Sequence, residues 1–140
     1  MKLTKIPAVQ DLAWCLGSDG CYLLNLMIIA EKITGKDIDV IKTTKKLIDL
    51  GLVDYDWKRP KAYKNMMYVM DADKVLKELG CVGYRIRKVD ELPKEYTGHY
   101  IIRYTLDGNT HFVLKDYNSI TYSRCVAEGR ISKYYLVEKV

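Results

Sequence analysis

Residues 21–33 are apolar on almost every side, with Leu23, Leu24, Leu26, Met27, Ile28, Ile29, Ala30 and Ile33 in one run. A helix with no polar face is a buried central helix. Gly17-Ser18-Asp19-Gly20 precedes it as a loop, and Thr34-Gly35 ends it, with Gly35 as the C-cap. Residues 37–50 read as a second, amphipathic helix: Ile38, Ile41, Leu47, Ile48 and Leu50 inward, Lys42, Lys45 and Lys46 toward water, and a stop at Gly51. Residues 55–63 form an irregular basic loop around Trp57 and Pro60, and a short third helix covers about 71–79, ending at Gly80.

Beyond Gly80 the period changes from that of a helix to the alternation of strands. Strands are expected at 82–88, 95–105, 111–115, 120–125 and 131–137. Asp107-Gly108-Asn109, Asp116-Tyr117-Asn118-Ser119 and Glu128-Gly129 mark the turns between the later ones. Helices first and an antiparallel sheet second make an α+β chain. With 140 residues and no linker or repeat, it reads as a single domain over 1–140.

Composition narrows the function classes. Hydrophobic residues make up 49% and charged residues 29%, a globular balance able to fold without a metal or disulfide. No run approaches the roughly 20 apolar residues of a membrane span. Residues 1–9 hold no continuous apolar stretch, so no secretory signal is read and a cytoplasmic protein is expected. The net charge of +5 permits an acidic partner without requiring one. Cys15, Cys21, Cys81 and Cys125 show no C-x-x-C spacing, which argues against a zinc knuckle or redox dithiol.

Two residues carry candidate chemistry. Cys21 opens the buried helix directly after Asp19-Gly20. Unpaired N–H groups and the positive dipole end stabilise a thiolate there and can hydrogen-bond an oxyanion. By position alone, the same residue also reads as a core thiol. His111 opens a strand after a turn, in Asn109-Thr110-His111-Phe112-Val113-Leu114, a place that holds an imidazole firmly yet within reach. The other histidine, His99, stands at an ordinary strand beginning. Twelve tyrosines against one phenylalanine suggest an amphipathic surface, with half-buried strand positions preferred for Tyr100, Tyr104, Tyr134 and Tyr135. The loop from Trp57 to Lys64 interleaves cations and aromatics, but one short loop reads better as solvated charge than as a nucleic-acid surface.

Three segments, Gly20 to Leu26 with Ile29-Ala30-Glu31 and Thr34-Gly35-Lys36, Thr110 to Leu114, and Ser123 to Ser132, resemble the papain-like cysteine peptidases. The likeness is to the small peptidase C39-like proteins of bacteria and phages, and is specific around Cys21 and His111. It implies a papain-like fold, Cys21 as nucleophile and His111 as its base, and a peptide or protein substrate. It implies neither a cofactor nor a metal, and nucleic acid is not expected as a partner. The compartment implied is the cytoplasm of a bacterial or phage-infected cell.

The chain departs from the family pattern twice. A Gln placed shortly before the nucleophile helps hold the oxyanion in the family, whereas Gln10 stands eleven positions before Cys21. Its spacing to Cys15 is better, which makes Cys15 the runner-up nucleophile, but a loop follows Cys15 rather than the apolar helix. The Asp or Asn that orients the imidazole in the family has no clear counterpart. If Lys115 pairs with Ile120, His111 faces about Arg124, and of its neighbours only Ser123 offers a weak substitute. Asp116 lies roughly 16 Å along the strand, at about 3.3 Å per residue. A non-catalytic papain-like binding protein, such as a phage accessory or anti-defence factor, is therefore the rival expectation.

Overall fold

A computed structural model describes residues 20–55, 67–114 and 127–140. The chain falls into two compact units, Met1–Cys81 and Val82–Val140. Three helices and two antiparallel sheets among the described residues establish the mixed α+β class. No described helix is long and apolar enough to cross a membrane.

In the first unit, α1 spans Cys21–Thr34 and buries Leu23, Leu26, Met27, Ile29 and Ala30. Its end follows from Gly35, which adopts φ 69° and returns its N–H to Glu31 O at 2.8 Å. Helix α2 spans Val40–Asp49, three residues later than the periodicity predicts. Asp39 sets that start, because its carboxylate accepts from Lys42 N at 3.0 Å and leaves residues 37–38 outside the helix. The inward face also differs: Thr44 is fully buried beside Leu47, while Leu50 forms the C-cap and is 51% exposed. Lys42, Lys45 and Lys46 face water as expected, with Lys45 paired to Asp49 one turn on.

A two-stranded hairpin follows, β1 (Val53–Tyr55) and β2 (Met67–Val69), in the register Val53↔Val69 and Tyr55↔Met67. Where sequence periodicity suggests only an irregular loop from residue 55, Tyr55 closes β1; residues 56–66 lie outside the described set. Helix α3 (Ala72–Glu78) is capped by Asp71, which accepts from Lys74 N, and it buries Val75 and Leu76. Gly80 at φ 96° then turns the chain so that Cys81 N reaches Leu76 O at 2.9 Å. Truncating a fully buried leucine such as Leu26, Leu47 or Leu76 to alanine costs about 2–5 kcal/mol.

The second unit is one antiparallel sheet in the order β3-β6-β4-β5, built from β3 (Tyr84–Val89), β4 (His99–Leu106), β5 (Asn109–Leu114) and β6 (Arg130–Lys139). The last strand enters the middle of the sheet, with Ile86↔Val137 on one side and Ile101↔Tyr135 on the other. Strand β3 begins at Tyr84 because Val82 is exposed and Gly83 has φ 83°. Strand β4 begins at His99, after a turn in which Tyr96 N bonds Pro93 O. Asp107 at φ 49° and Gly108 at φ 79° make the two-residue turn between β4 and β5, the mirror-type hairpin turn that an Asp-Gly pair favours. The expected strand at 120–125 lies outside the described residues.

A bulge separates Arg103↔Lys133 from Tyr104↔Ile131, so Ser132 has no partner of its own on β4. Strand alternation then sorts the sheet into two faces. His111, Tyr104, Ile102, Tyr100, Tyr134 and Leu136 share one; Arg103, Thr105, Phe112, Lys133 and Tyr135 share the other. Tyr100, Tyr104, Tyr134 and Tyr135 are all half-buried, as their strand positions predict.

Candidate functional site

Cys21 is the first helical residue of α1 and is a half-buried thiol. Gly20, the N-cap, supplies no side chain to the first turn, and no acidic residue stands there. Gly20 O accepts from Leu24 N at 2.9 Å, which starts the ladder of helical bonds. The first-turn N–H groups lie at the positive end of the helix dipole, which favours a thiolate or an oxyanion. Cys81 provides the contrast. It is 1% exposed, and burial raises its thiol pKa, so it is an inert core residue.

His111 is the third residue of β5, directly across from Tyr104 on β4. Alternation places Val113 beside it along its own strand, and Ile102 and Leu106 diagonally across. The ring is half-buried, and that burial pushes its pKa below the usual histidine value. At neutral pH the imidazole is thus uncharged, the form in which it can accept a proton. No described carboxylate or carboxamide hydrogen-bonds it. Tyr104, on the neighbouring strand, is the polar residue nearest to it in register.

Cys21 belongs to the first unit and His111 to the second. Gln10 and Cys15, and on the other side of the chain Asp116, Asn118, Ser123, Arg124 and Cys125, all lie outside the described residues. His99, the second histidine, pairs with Val137 on β6, and its carbonyl accepts from the Tyr96 hydroxyl at 2.9 Å. That makes it part of the strand framework. Among the described residues, no three His, Cys, Asp or Glu side chains gather closely enough to hold a metal ion.

One polar residue near Cys21 goes unweighted by motif reasoning. Asn25 lies four residues on, hence on the same face of α1, and is only 6% exposed. Its Nδ2 is buried with no hydrogen-bond partner among the described residues. The signal is present in the sequence, where Asn25 is the one amide inside the apolar run from Leu23 to Ala30. Its meaning depends on burial, which periodicity alone leaves open.

No family model, no curated protein and no solved structure matches this chain.

Proposed function

We propose that this chain is a papain-like thiol hydrolase of the peptidase C39-like kind, cleaving a peptide or amide bond through Cys21 and His111. The observation that carries the reading is the placement of Cys21: a half-buried thiol on the first residue of a 14-residue helix whose first turn holds neither a capping side chain nor an acid. A nucleophile so placed has backbone donors beside it for the oxyanion that forms on attack. The neutral, half-buried imidazole of His111 suits the base.

In this mechanism His111 takes the thiol proton as Cys21 Sγ bonds to the carbonyl carbon. The proton then passes to the leaving nitrogen, the C–N bond breaks, and an acyl-thioester remains on Cys21. Water, deprotonated by His111, attacks the thioester carbonyl, releases the carboxylic acid and returns the proton to sulfur. Gln10 and Ser123 are the candidates for holding the oxyanion and orienting the ring. No cofactor enters these steps.

A second reading has its own support. β4 offers His111 a tyrosine in register and no Asp or Asn, and a triad enzyme deprived of its orienting acid loses about 10⁴ in kcat. That favours a papain-like scaffold retained as a binding protein, such as a phage accessory or anti-defence factor.

Thiol reactivity separates the two. The full chain is treated with iodoacetamide at pH 6.5, and labelling of each cysteine is followed by peptide mass spectrometry. The hydrolase reading expects Cys21 to label faster than Cys81 by at least about tenfold in a denaturant-normalised rate. It also expects His111→Ala to remove that advantage. Equal normalised rates, or an advantage that survives His111→Ala, sink it. For the binding reading, Cys21→Ala leaves biological activity intact, and charge reversal at Lys58, Arg59 and Lys61 abolishes it.

A further inference from the structure

The face of the sheet opposite His111 carries an arrangement that the hydrolase reading does not use. The bulge in β6 brings Ser132 and Lys133 to the same side as Arg103 and Thr105 of β4. Arg103 is half-buried and held by two neutral oxygens. Its Nε donates to Ser132 Oγ at 2.8 Å, and its Nη1 donates to Tyr135 OH at 3.3 Å. Ser132 Oγ in turn accepts from Thr105 Oγ1 at 2.9 Å and donates to the Arg103 carbonyl at 3.1 Å. The hydroxyls thus spend their hydrogen bonds on fixing the guanidinium, and the N–H groups of Nη2 have no acceptor among the described residues.

The charge of Arg103 is also unmatched among the described residues. No described carboxylate forms an ion pair with it. Arg130 pairs in register with Thr105, two positions along β4 from Arg103. That spacing makes the two arginines diagonal neighbours, with Cα atoms roughly 8 Å apart and long side chains able to converge. Arg130 is exposed and likewise forms no ion pair with a described residue. Lys133, opposite Arg103, is already neutralised by Asp90. Two guanidiniums without counter-charges among the described residues remain, one of them oriented in advance by a hydroxyl network and set beside the Phe112–Tyr135 ring pair. A half-buried guanidinium fixed through Nε and Nη1, with its Nη2 hydrogens still to give, is suited to donate to an anionic oxygen.

The geometry points to an oxyanion site on this face, formed by Arg103 and Arg130 and braced by Ser132, Thr105 and Tyr135, that takes a phosphate-class dianion. Charge decides the class: a dianion matches both guanidiniums, whereas a carboxylate leaves one unmatched. The phosphate can be free or belong to a nucleotide, since the recognising chemistry is the same. The site is independent of Cys21 and His111, which lie respectively in the other unit and on the other face.

The test titrates the full chain with inorganic phosphate at constant ionic strength. It follows the Arg103 and Arg130 Nε–Hε signals and the amides of residues 103–105 and 130–133 by NMR. Saturable shifts confined to this group are expected, and acetate at the same ionic strength should bind about tenfold more weakly, a difference of 1.4 kcal/mol. Arg103→Lys, which keeps the charge but loses the planar guanidinium and its fixed Nη2 donors, and Arg130→Gln, an exposed change that leaves the fold intact, should each weaken phosphate about tenfold. Adenosine monophosphate binding more tightly than phosphate, with Phe112 signals moving, assigns the source to a nucleotide; equal affinity assigns it to the free anion. Linear, unsaturated shifts spread over every surface cation would overturn the site. So would acetate binding as well as phosphate, or single-stranded oligonucleotide binding that both variants leave unchanged. Cys21→Ala should bind phosphate as the parent chain does, so failure of the hydrolase reading leaves this result standing.

Discussion

Asn25 stands one helical turn beyond Cys21 on the same face of α1, buried, with its Nδ2 lacking a partner among the described residues. A buried donor without an acceptor costs about 1–3 kcal/mol. Leucine keeps the branched heavy-atom skeleton without such a donor, and its bulkier methyl groups offset part of the gain. Asn25→Leu is therefore expected to raise the unfolding free energy by about 1 kcal/mol. Asn25→Asp, which puts a carboxylate there, should lower it by at least about 2 kcal/mol. Urea denaturation of the two variants checks both signs. An Asn25→Leu loss beyond the roughly 1–3 kcal/mol of overpacking would mean that the amide is engaged, and would direct attention to what it holds beside the candidate nucleophile.

Much of this architecture is readable without coordinates, because its signals are local. Helix α1 has no polar face and a glycine at its end, so its bounds follow within one residue. Asp107-Gly108 names its own turn type, and that turn brings His111 onto β5. The three-residue strands β1 and β2 are too short for alternation to mark, and they flank a segment that holds Trp57, Pro60 and three lysines. Alternation also gives the face of a residue but not the order of strands, so the central position of β6 is not visible. The Arg103 network is hidden for a related reason: it depends on a bulge that moves Ser132 out of the simple alternating pattern. For the candidate site, the helical start at Cys21 is local and legible. The surroundings of His111 depend on strand pairing, which brings up Tyr104.

Gly98 leaves room for Tyr96 in a way no other residue could. A Cβ at Gly98 would sit 2.7 Å from the Tyr96 hydroxyl and 2.9 Å from its Cζ. The ring cannot simply swing away, because its hydroxyl lies 2.9 Å from the carbonyls of both His99 and Val137 and ties the start of β4 to β6. Gly98→Ala should therefore destabilise by about 1–3 kcal/mol, the usual cost of overpacking. Tyr96→Phe alone should cost about 1 kcal/mol for the lost hydroxyl. In a double-mutant cycle, Gly98→Ala should cost less in the Tyr96→Ala background than in the parent chain, since the clash has gone. Strict additivity would show that the contact does not matter.

Glu138 on β6 links to both arginines of β3. Arg87 donates to Oε1 through Nε at 3.0 Å and Nη2 at 2.7 Å, and Arg85 Nη2 lies 3.5 Å from Oε2. The hydrogen bonds from Arg87, ahead of the charges of Arg87 and Arg85, hold its carboxyl below the usual glutamate range. A lowered folded pKa gives stability that is present above the unfolded value of about 4.3 and lost as pH falls through the folded one. Glu138→Gln is thus expected to be less stable than the parent at pH 7. The two should converge as pH drops below about 4, in urea midpoints taken from pH 7 to pH 3. A gap that stays constant over that range would mean that the carboxyl titrates alike in both states.

His111 predicts acid sensitivity of the same sign over a higher pH range. Its folded pKa is depressed by burial, while in the unfolded chain the ring titrates near 6.5. As pH falls through 6.5, the unfolded chain takes up a proton that the folded chain resists, so stability declines. Below the folded pKa both states carry the proton, and the loss stops growing. The stability of the parent relative to His111→Gln should therefore be level above about pH 7.5 and decline steadily below about pH 7. Cys21→Ala should leave that slope unchanged, because the cause is desolvation of the ring and not a charge on sulfur. A resting thiolate–imidazolium pair would reverse the sign: an anion beside the ring raises its pKa, and stability would then rise on acidification and lose that rise in Cys21→Ala. The same titration thus reports whether the resting candidate dyad is neutral, with the proton still on sulfur, or already charged.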